Sequence, residues 1–264
     1  MDTIQEIYGI CHLSVVPIRM EPSDKAEIGS QLLFGDIFTA TKKTEDSKWI
    51  YIETKYDEYL GWIDYKQFKE VSKEYFDTYN NTPSPLSNGL MGLIKGDKRF
   101  FPIVMGSTLP LLKNNIVRLD NEYYAFEGEF IYPQKTNAGA IEQSARFYLH
   151  SPYLWGGKCH FGIDCSGFVQ QVYKINGYEL PRDSFKQAEV GQNVPFNDAL
   201  PGDLAYFHNV NGRVIHVGIL LPGKQIIHAS GEVRIDLLDE NGIFNVERKI
   251  YTHKLSVIRR VLVE

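Results

Sequence analysis

Short runs of alternating apolar and polar residues, broken by turn signals, occupy residues 1–70. Ser14-Val15-Val16-Pro17-Ile18 reads as extended and Glu21-Pro22-Ser23-Asp24 as a turn. Ile37-Phe38-Thr39-Ala40-Thr41, Lys48-Trp49-Ile50-Tyr51-Ile52 and Tyr59-Leu60-Gly61-Trp62-Ile63 read as further strands. Strands this short at this spacing predict a small antiparallel barrel. Residues 71–85 are polar and end in Asn80-Asn81-Thr82-Pro83-Ser84-Pro85, which predicts a linker or long loop. Strand-like pieces return at 89–94, 100–104, 115–119 and 123–126, a second small β module within 71–133.

From residue 134 the period changes. Ala138, Ile141, Ala145 and Tyr148 fall at helical spacing. Cys165, Phe168, Val169, Val172 and Tyr173 stand at i, i+3, i+4, i+7 and i+8, an amphipathic helix closed by Asn176-Gly177. Strands are expected at 204–207, 214–221 and 225–229, so residues 134–264 form an α+β domain.

Composition narrows the class. With 43% hydrophobic and 13% aromatic residues, the 264-residue chain can bury enough surface to fold, which excludes disorder. No apolar run reaches the ~18 residues of a membrane span. The net charge is −5, with 14 Lys and Arg against 20 Asp and Glu in residues 1–132. No basic stripe is present, so no nucleic-acid partner is expected. Three cysteines cannot all pair internally. The start, Met1-Asp2-Thr3-Ile4-Gln5-Glu6, shows no leader pattern. A cytoplasmic location is expected, or export if a signal peptide has been removed.

Cys165 opens its helix after Gly162-Ile163-Asp164, where free N–H groups and the positive dipole end are expected to favour a thiolate. His216 alternates onto one strand face with Val214, Gly218 and Leu220. A three-residue loop, Pro222-Gly223-Lys224, pairs positions such as 218 with 228 and puts His228 on that same face. Thiol, base and orienting imidazole are the parts of a cysteine peptidase. Cys159, His160, Cys165, His216 and His228 also include zinc-ligand types, but the Cys159-to-Cys165 spacing is wider than a zinc knuckle. No metal and no cofactor are expected.

Pro152-Tyr153-Leu154-Trp155-Gly156-Gly157, Gly162-Ile163-Asp164-Cys165-Ser166-Gly167-Phe168, His216-Val217-Gly218-Ile219 and Ile227-His228-Ala229-Ser230 resemble the NlpC-type cell-wall cysteine peptidases. Leu32-Leu33-Phe34-Gly35-Asp36 and Tyr59-Leu60-Gly61-Trp62 resemble bacterial SH3-like domains. The resemblance implies a papain-like catalytic domain over 134–264, preceded by two small SH3-like β-barrels over 1–70 and 71–133. It implies Cys165 as nucleophile, His216 as base, His228 as third polar residue and Tyr153 on the oxyanion side. Trp155, Asp164, Ser166, Asp183 and Ser184 would surround the substrate.

The whole arrangement resembles γ-D-glutamyl-L-diamino acid endopeptidases, in which a tyrosine and an acidic residue of the first module bind the free amine of L-Ala. Tyr59 and Asp36 match those positions best, Asp36 where a Glu is common. On this reading, Asp164 and Asp36 form a carboxylate pair that would stand unpaired without an ammonium. The expected activity is hydrolysis of the γ-D-Glu–diamino acid bond in free murein peptides, L-Ala-γ-D-Glu-L-Lys or its meso-diaminopimelate counterpart. No oligomer is required. The alternatives are an amidase or acyltransferase of the same fold, or an inert cell-wall-binding protein.

Overall fold

The computed structural model describes residues 2–262 and divides the chain into two compact units that meet between Pro133 and Gln134. In the first unit, strands from Asp2–Ile10 to Lys69–Glu70 make one antiparallel seven-stranded sheet. Its interior face carries Val16, Ile18, Leu32, Phe38, Ile50, Ile52 and Ile63, the inward positions of the alternating runs. A second, four-stranded antiparallel sheet is built from Met91–Lys95, Phe100–Val104, Ile116–Leu119 and Glu122–Glu127.

The polar stretch expected to be a linker contains a helix instead, α1 (Lys73–Asn80). Ser72 caps it by accepting from the Tyr75 N–H at 3.2 Å. Its aromatic residues Tyr75, Phe76 and Tyr79 fall on one side and are buried. Tyr79 donates its hydroxyl to the Gly35 carbonyl at 2.9 Å, and Tyr75 donates to the Arg118 carbonyl at 2.6 Å. The helix is therefore pinned to both sheets. One core runs from Ile10 and Phe34 through these aromatics to Ile94, Val117 and Phe126. Each buried aromatic contributes about 1.5–3 kcal/mol, which outweighs the polar remainder of the stretch.

The second unit begins with α2 (Ala138–Phe147), capped by Asn137, and continues to α3 (Cys165–Ile175) and the short α4 (Ser184–Gln187). Six antiparallel strands follow: Leu204–His208, Val214–Leu221, Gln225–Ser230, Glu232–Asp239, Gly242–Asn245 and Ile250–Arg260. The last pairs with both the first and the fifth, so they close into a barrel. The architecture is α+β, with a β-rich first unit ahead of the unit that carries α2, α3 and the barrel.

One set of alternate positions, Ala205, Phe207, Leu220, Ile226, Leu238, Ile243 and Ile258, forms a single apolar cluster. Because side chains alternate along a strand, His216, His228, Asp236 and Asn245 share its face, so polar residues follow apolar ones along it. α3 packs against the Val214–Leu221 strand, and the Cys165 sulfur at its start faces the Val217 N–H on that strand.

Candidate active site

The hairpin register puts Gly218 opposite His228, with Leu221 opposite Gln225 across the three-residue turn. A Cβ at position 218 would lie 2.9 Å from the His228 Cβ, so glycine leaves the space that His228 occupies. His216 Nε2 and His228 Nδ1 are 2.8 Å apart, and His228 Nε2 is 3.1 Å from Asp236 Oδ2. Both rings are buried. Burial pushes the His216 pKa well below the ordinary histidine value, and the neighbouring His228 and His253 push the same way. His216 is thus a neutral imidazole at pH 7, the form that accepts a proton.

Sequence reasoning overlooked Asp236. Its carboxylate accepts from Arg234 Nε at 2.9 Å and Nη2 at 3.2 Å, and Asn245 Nδ2 stands 3.4 Å away. Burial pushes this carboxyl up, but the hydrogen bonds from His228 and Arg234 outweigh it and hold the group below the usual carboxylate range.

Cys165 is the first residue of α3, and its sulfur faces the backbone N–H groups of Val217 and Ser166, which favour the thiolate. The helix start is not the free positive end that the sequence suggested. The Asp164 carboxylate caps it, accepting from the Gly167 N–H at 2.7 Å. Burial first, and then the charge of Asp164, push the thiol pKa up to about 12. The helix alone therefore makes no thiolate at neutral pH; the proton must pass to a base.

Asp164 also departs from expectation. Arg182, buried itself, grips both carboxylate oxygens at 2.9 and 2.6 Å, and Gly156 N–H donates to Asp164 Oδ2 at 2.8 Å. The charge is compensated inside the unit, so Asp164 does not stand unpaired awaiting an ammonium. Ser166 is drawn into the same network, accepting from Arg182 Nη1 at 2.8 Å. Glycines permit this packing: a Cβ at 157 would meet the Gly162 carbonyl at 2.2 Å, and one at 167 the Gly157 carbonyl at 2.3 Å.

Tyr153 is half-buried, and burial, then the charges of Cys165 and Asp164, raise its phenol pKa. Its hydroxyl stays protonated and can donate to an oxyanion. Trp155 is 59% exposed, on the loop that carries Gly156 and Gly157. Asp183 and Ser184 stand at the start of α4, where the Asp183 carbonyl accepts from the Gln187 N–H at 2.9 Å. In the first unit, Asp36 accepts from the Leu33 N–H at 2.9 Å and closes a turn, while Tyr59 is buried beside Met20 and Gly29.

His253, given no role from the sequence, stacks on His216 with ring centroids 4.1 Å apart and planes 19° from parallel. His216, His228 and His253 bring one ring nitrogen each within 4.8 Å of one another. The stacking argues against a shared metal ion. Imidazole lone pairs lie in the ring plane, and two nearly parallel, stacked planes do not meet at a common ion. Cys11, Cys159 and Cys165 are all free thiols.

Residues 150–252 match the NlpC/P60 family, and residues 18–68 match the bacterial dipeptidyl-peptidase Sh3 domain. Over 134 residues the chain is 38% identical to a γ-D-glutamyl-L-lysine dipeptidyl-peptidase of Bacillus subtilis, covering 50% of this chain and 43% of that protein. The chain thus spans less than half the length of that relative. It is 26% identical over 251 residues to dipeptidyl-peptidase 6 of Lysinibacillus sphaericus, covering 83% of this chain and 88% of the other. The crystal structure of an NlpC/P60 family protein from Bacillus cereus aligns over 97% of this chain and 100% of that one, with a TM-score of 0.83 at 22% identity; the fold is shared.

Proposed function

Because the chain belongs to the NlpC/P60 family, with a bacterial dipeptidyl-peptidase Sh3 domain ahead of the catalytic unit, we propose that it is a cysteine peptidase of murein peptides. It cleaves the γ-D-Glu–diamino acid bond of free peptides and releases L-Ala-γ-D-Glu. The observation that carries this reading is the 2.8 Å His216–His228 contact on the strand whose Val217 N–H faces the Cys165 sulfur. The γ-D-glutamyl specificity is supported by the dipeptidyl-peptidase relative at 38% identity. A two-residue product also implies an unblocked amino terminus. The two-barrel, papain-like description of the fold belongs to the same proposal.

The chemistry follows from the protonation states. Neutral His216 takes the Cys165 proton, and the thiolate attacks the γ-carbonyl. The Tyr153 hydroxyl donates to the oxygen as it becomes an oxyanion; one such donor is worth roughly 10²–10³ in rate. His216 returns its proton to the leaving amine, giving a thioester on Cys165. It then takes a proton from water, whose attack frees the dipeptide acid.

Mass spectrometry of products tests this, with L-Ala-γ-D-Glu-L-Lys, its meso-diaminopimelate counterpart and an N-acylated control as substrates. The expected result is L-Ala-γ-D-Glu plus the free diamino acid from the unblocked peptides and no cleavage of the control. Equal turnover of blocked and free peptides would overturn the terminus requirement. Cleavage of a different acyl bond would point to the amidase or acyltransferase reading.

A further inference from the structure

We infer that Asp236 is the positioning residue that sets the tautomers of both active-site imidazoles, and through them leaves His216 Nδ1 bare to receive the thiol proton. The consequence for catalysis rests on the peptidase reading above; the tautomer assignment does not.

The argument needs only donors and acceptors. An ionised carboxylate accepts and cannot donate. Asp236 is held in that state by the two-pronged contact from Arg234, which can only donate, and by the Asn245 amide. The proton in the 3.1 Å contact therefore sits on His228 Nε2. For a His228 ring that carries a single N–H, held on Nε2 by Asp236, Nδ1 is the acceptor. The proton in the 2.8 Å contact must then sit on His216 Nε2. That leaves the His216 Nδ1 lone pair free.

When the Cys165 S–H bond breaks and an Nδ1–H bond forms, His216 becomes an imidazolium whose Nε2–H already donates to His228. Across that ring lies the Asp236 charge. The resulting line runs Cys165, His216, His228, Asp236, one member longer than the sequence motifs supplied. His253 does not take part: it meets His216 face to face, and its Nδ1 is 2.9 Å from the Thr252 hydroxyl.

The test is Asp236→Asn in the full chain, with Asp236→Glu as the conservative partner. Asp236 Oδ1 takes Arg234 Nη2 and the Asn245 amide, while Oδ2 takes Arg234 Nε and His228 Nε2. With the new carbonyl oxygen held by the two donors at the Oδ1 position, the new NH₂ points at His228 Nε2. His228 then carries its proton on Nδ1, and His216 is forced to carry its own on Nδ1, where it can no longer accept from sulfur. The expected loss is roughly 10³–10⁴ in kcat/KM, by analogy with a wrong-tautomer triad. KM should change little, and Asp236→Glu should recover most of the rate.

Imidazole ¹⁵N NMR supplies a readout that a merely structural role would not move. Wild type should show Nε2–H on both His216 and His228, and Asp236→Asn should show Nδ1–H. An Nδ1–H on either ring in wild type overturns the inference even if the variant misfolds. Wild-type tautomers and rate in a folded Asp236→Asn protein overturn it as well. The assigned tautomers in a wild type inert toward γ-D-glutamyl peptides would uphold the inference and reject only the peptidase reading.

Discussion

At the scale of single residues, the chemistry depends on which charges are compensated. Asp164 lies beside a thiol that must become an anion, and alone it would oppose that ionisation. Arg182 offsets it through a buried bidentate pair at 2.6 and 2.9 Å. Replacing Arg182 with Leu strands a buried carboxylate at the start of α3. Urea unfolding should then show a loss of about 3–5 kcal/mol in the catalytic unit, with midpoint and activity falling together. An unchanged midpoint would mean that Asp164 finds its compensation elsewhere. Arg182 was hard to see in the sequence because an arginine in Pro181-Arg182-Asp183-Ser184 reads as a surface turn; only Asp164's need for a counter-charge buries it. Cys165, His216 and His228 were legible because helix start, strand alternation and hairpin loop length are local rules.

At the scale of elements, the His216–His228 hairpin follows from the length of Pro222-Gly223-Lys224, and α3 follows from its apolar spacing. Two elements did not read out. α1 hides three aromatics among polar neighbours, and its burial depends on two sheets distant in sequence. Barrel closure depends on Gly242–Asn245 meeting Ile250–Arg260, a strand whose exposed and half-buried positions give little hydrophobic signal. Asp236 lies in Glu232–Asp239, a strand beyond those read from the sequence, and it is buried in the closed barrel. Gly242 bears on the closure directly: its φ is +136°, and an added Cβ would lie 1.8 Å from the His253 carbonyl. Gly242→Ala should therefore destabilise the barrel by more than about 1 kcal/mol and disturb the ring stacked on His216. Thermal unfolding and the His253 NMR shifts check this. A variant with both unchanged would show that the closure is not tight there.

For the molecule as a whole, acidity is the exposed weakness. Burial holds His12, His160 and His253 neutral, each with a pKa lowered to about 4. Unfolded histidines titrate near ~6.5, so between those values the unfolded chain binds more protons. Stability from these groups is full above about pH 6.5 and is lost as pH falls toward about 4. The lowered Asp236 carboxyl adds to the loss further down the scale. Melting temperature measured across this range should be level above pH 7 and fall steeply below 6.5; a level or rising curve would contradict the burial of neutral imidazoles.

The claim on which the chemistry stands is that the Cys165 sulfur attacks an acyl carbon once His216 has taken its proton. Acid-quenched intact-protein mass spectrometry during turnover of L-Ala-γ-D-Glu-L-Lys tests it most directly, with peptide mapping of the adduct. The account predicts an L-Ala-γ-D-Glu thioester on Cys165 that is absent in Cys165→Ala and His216→Ala. Turnover by Cys165→Ala, or an acyl adduct on Cys11 or Cys159, would contradict it.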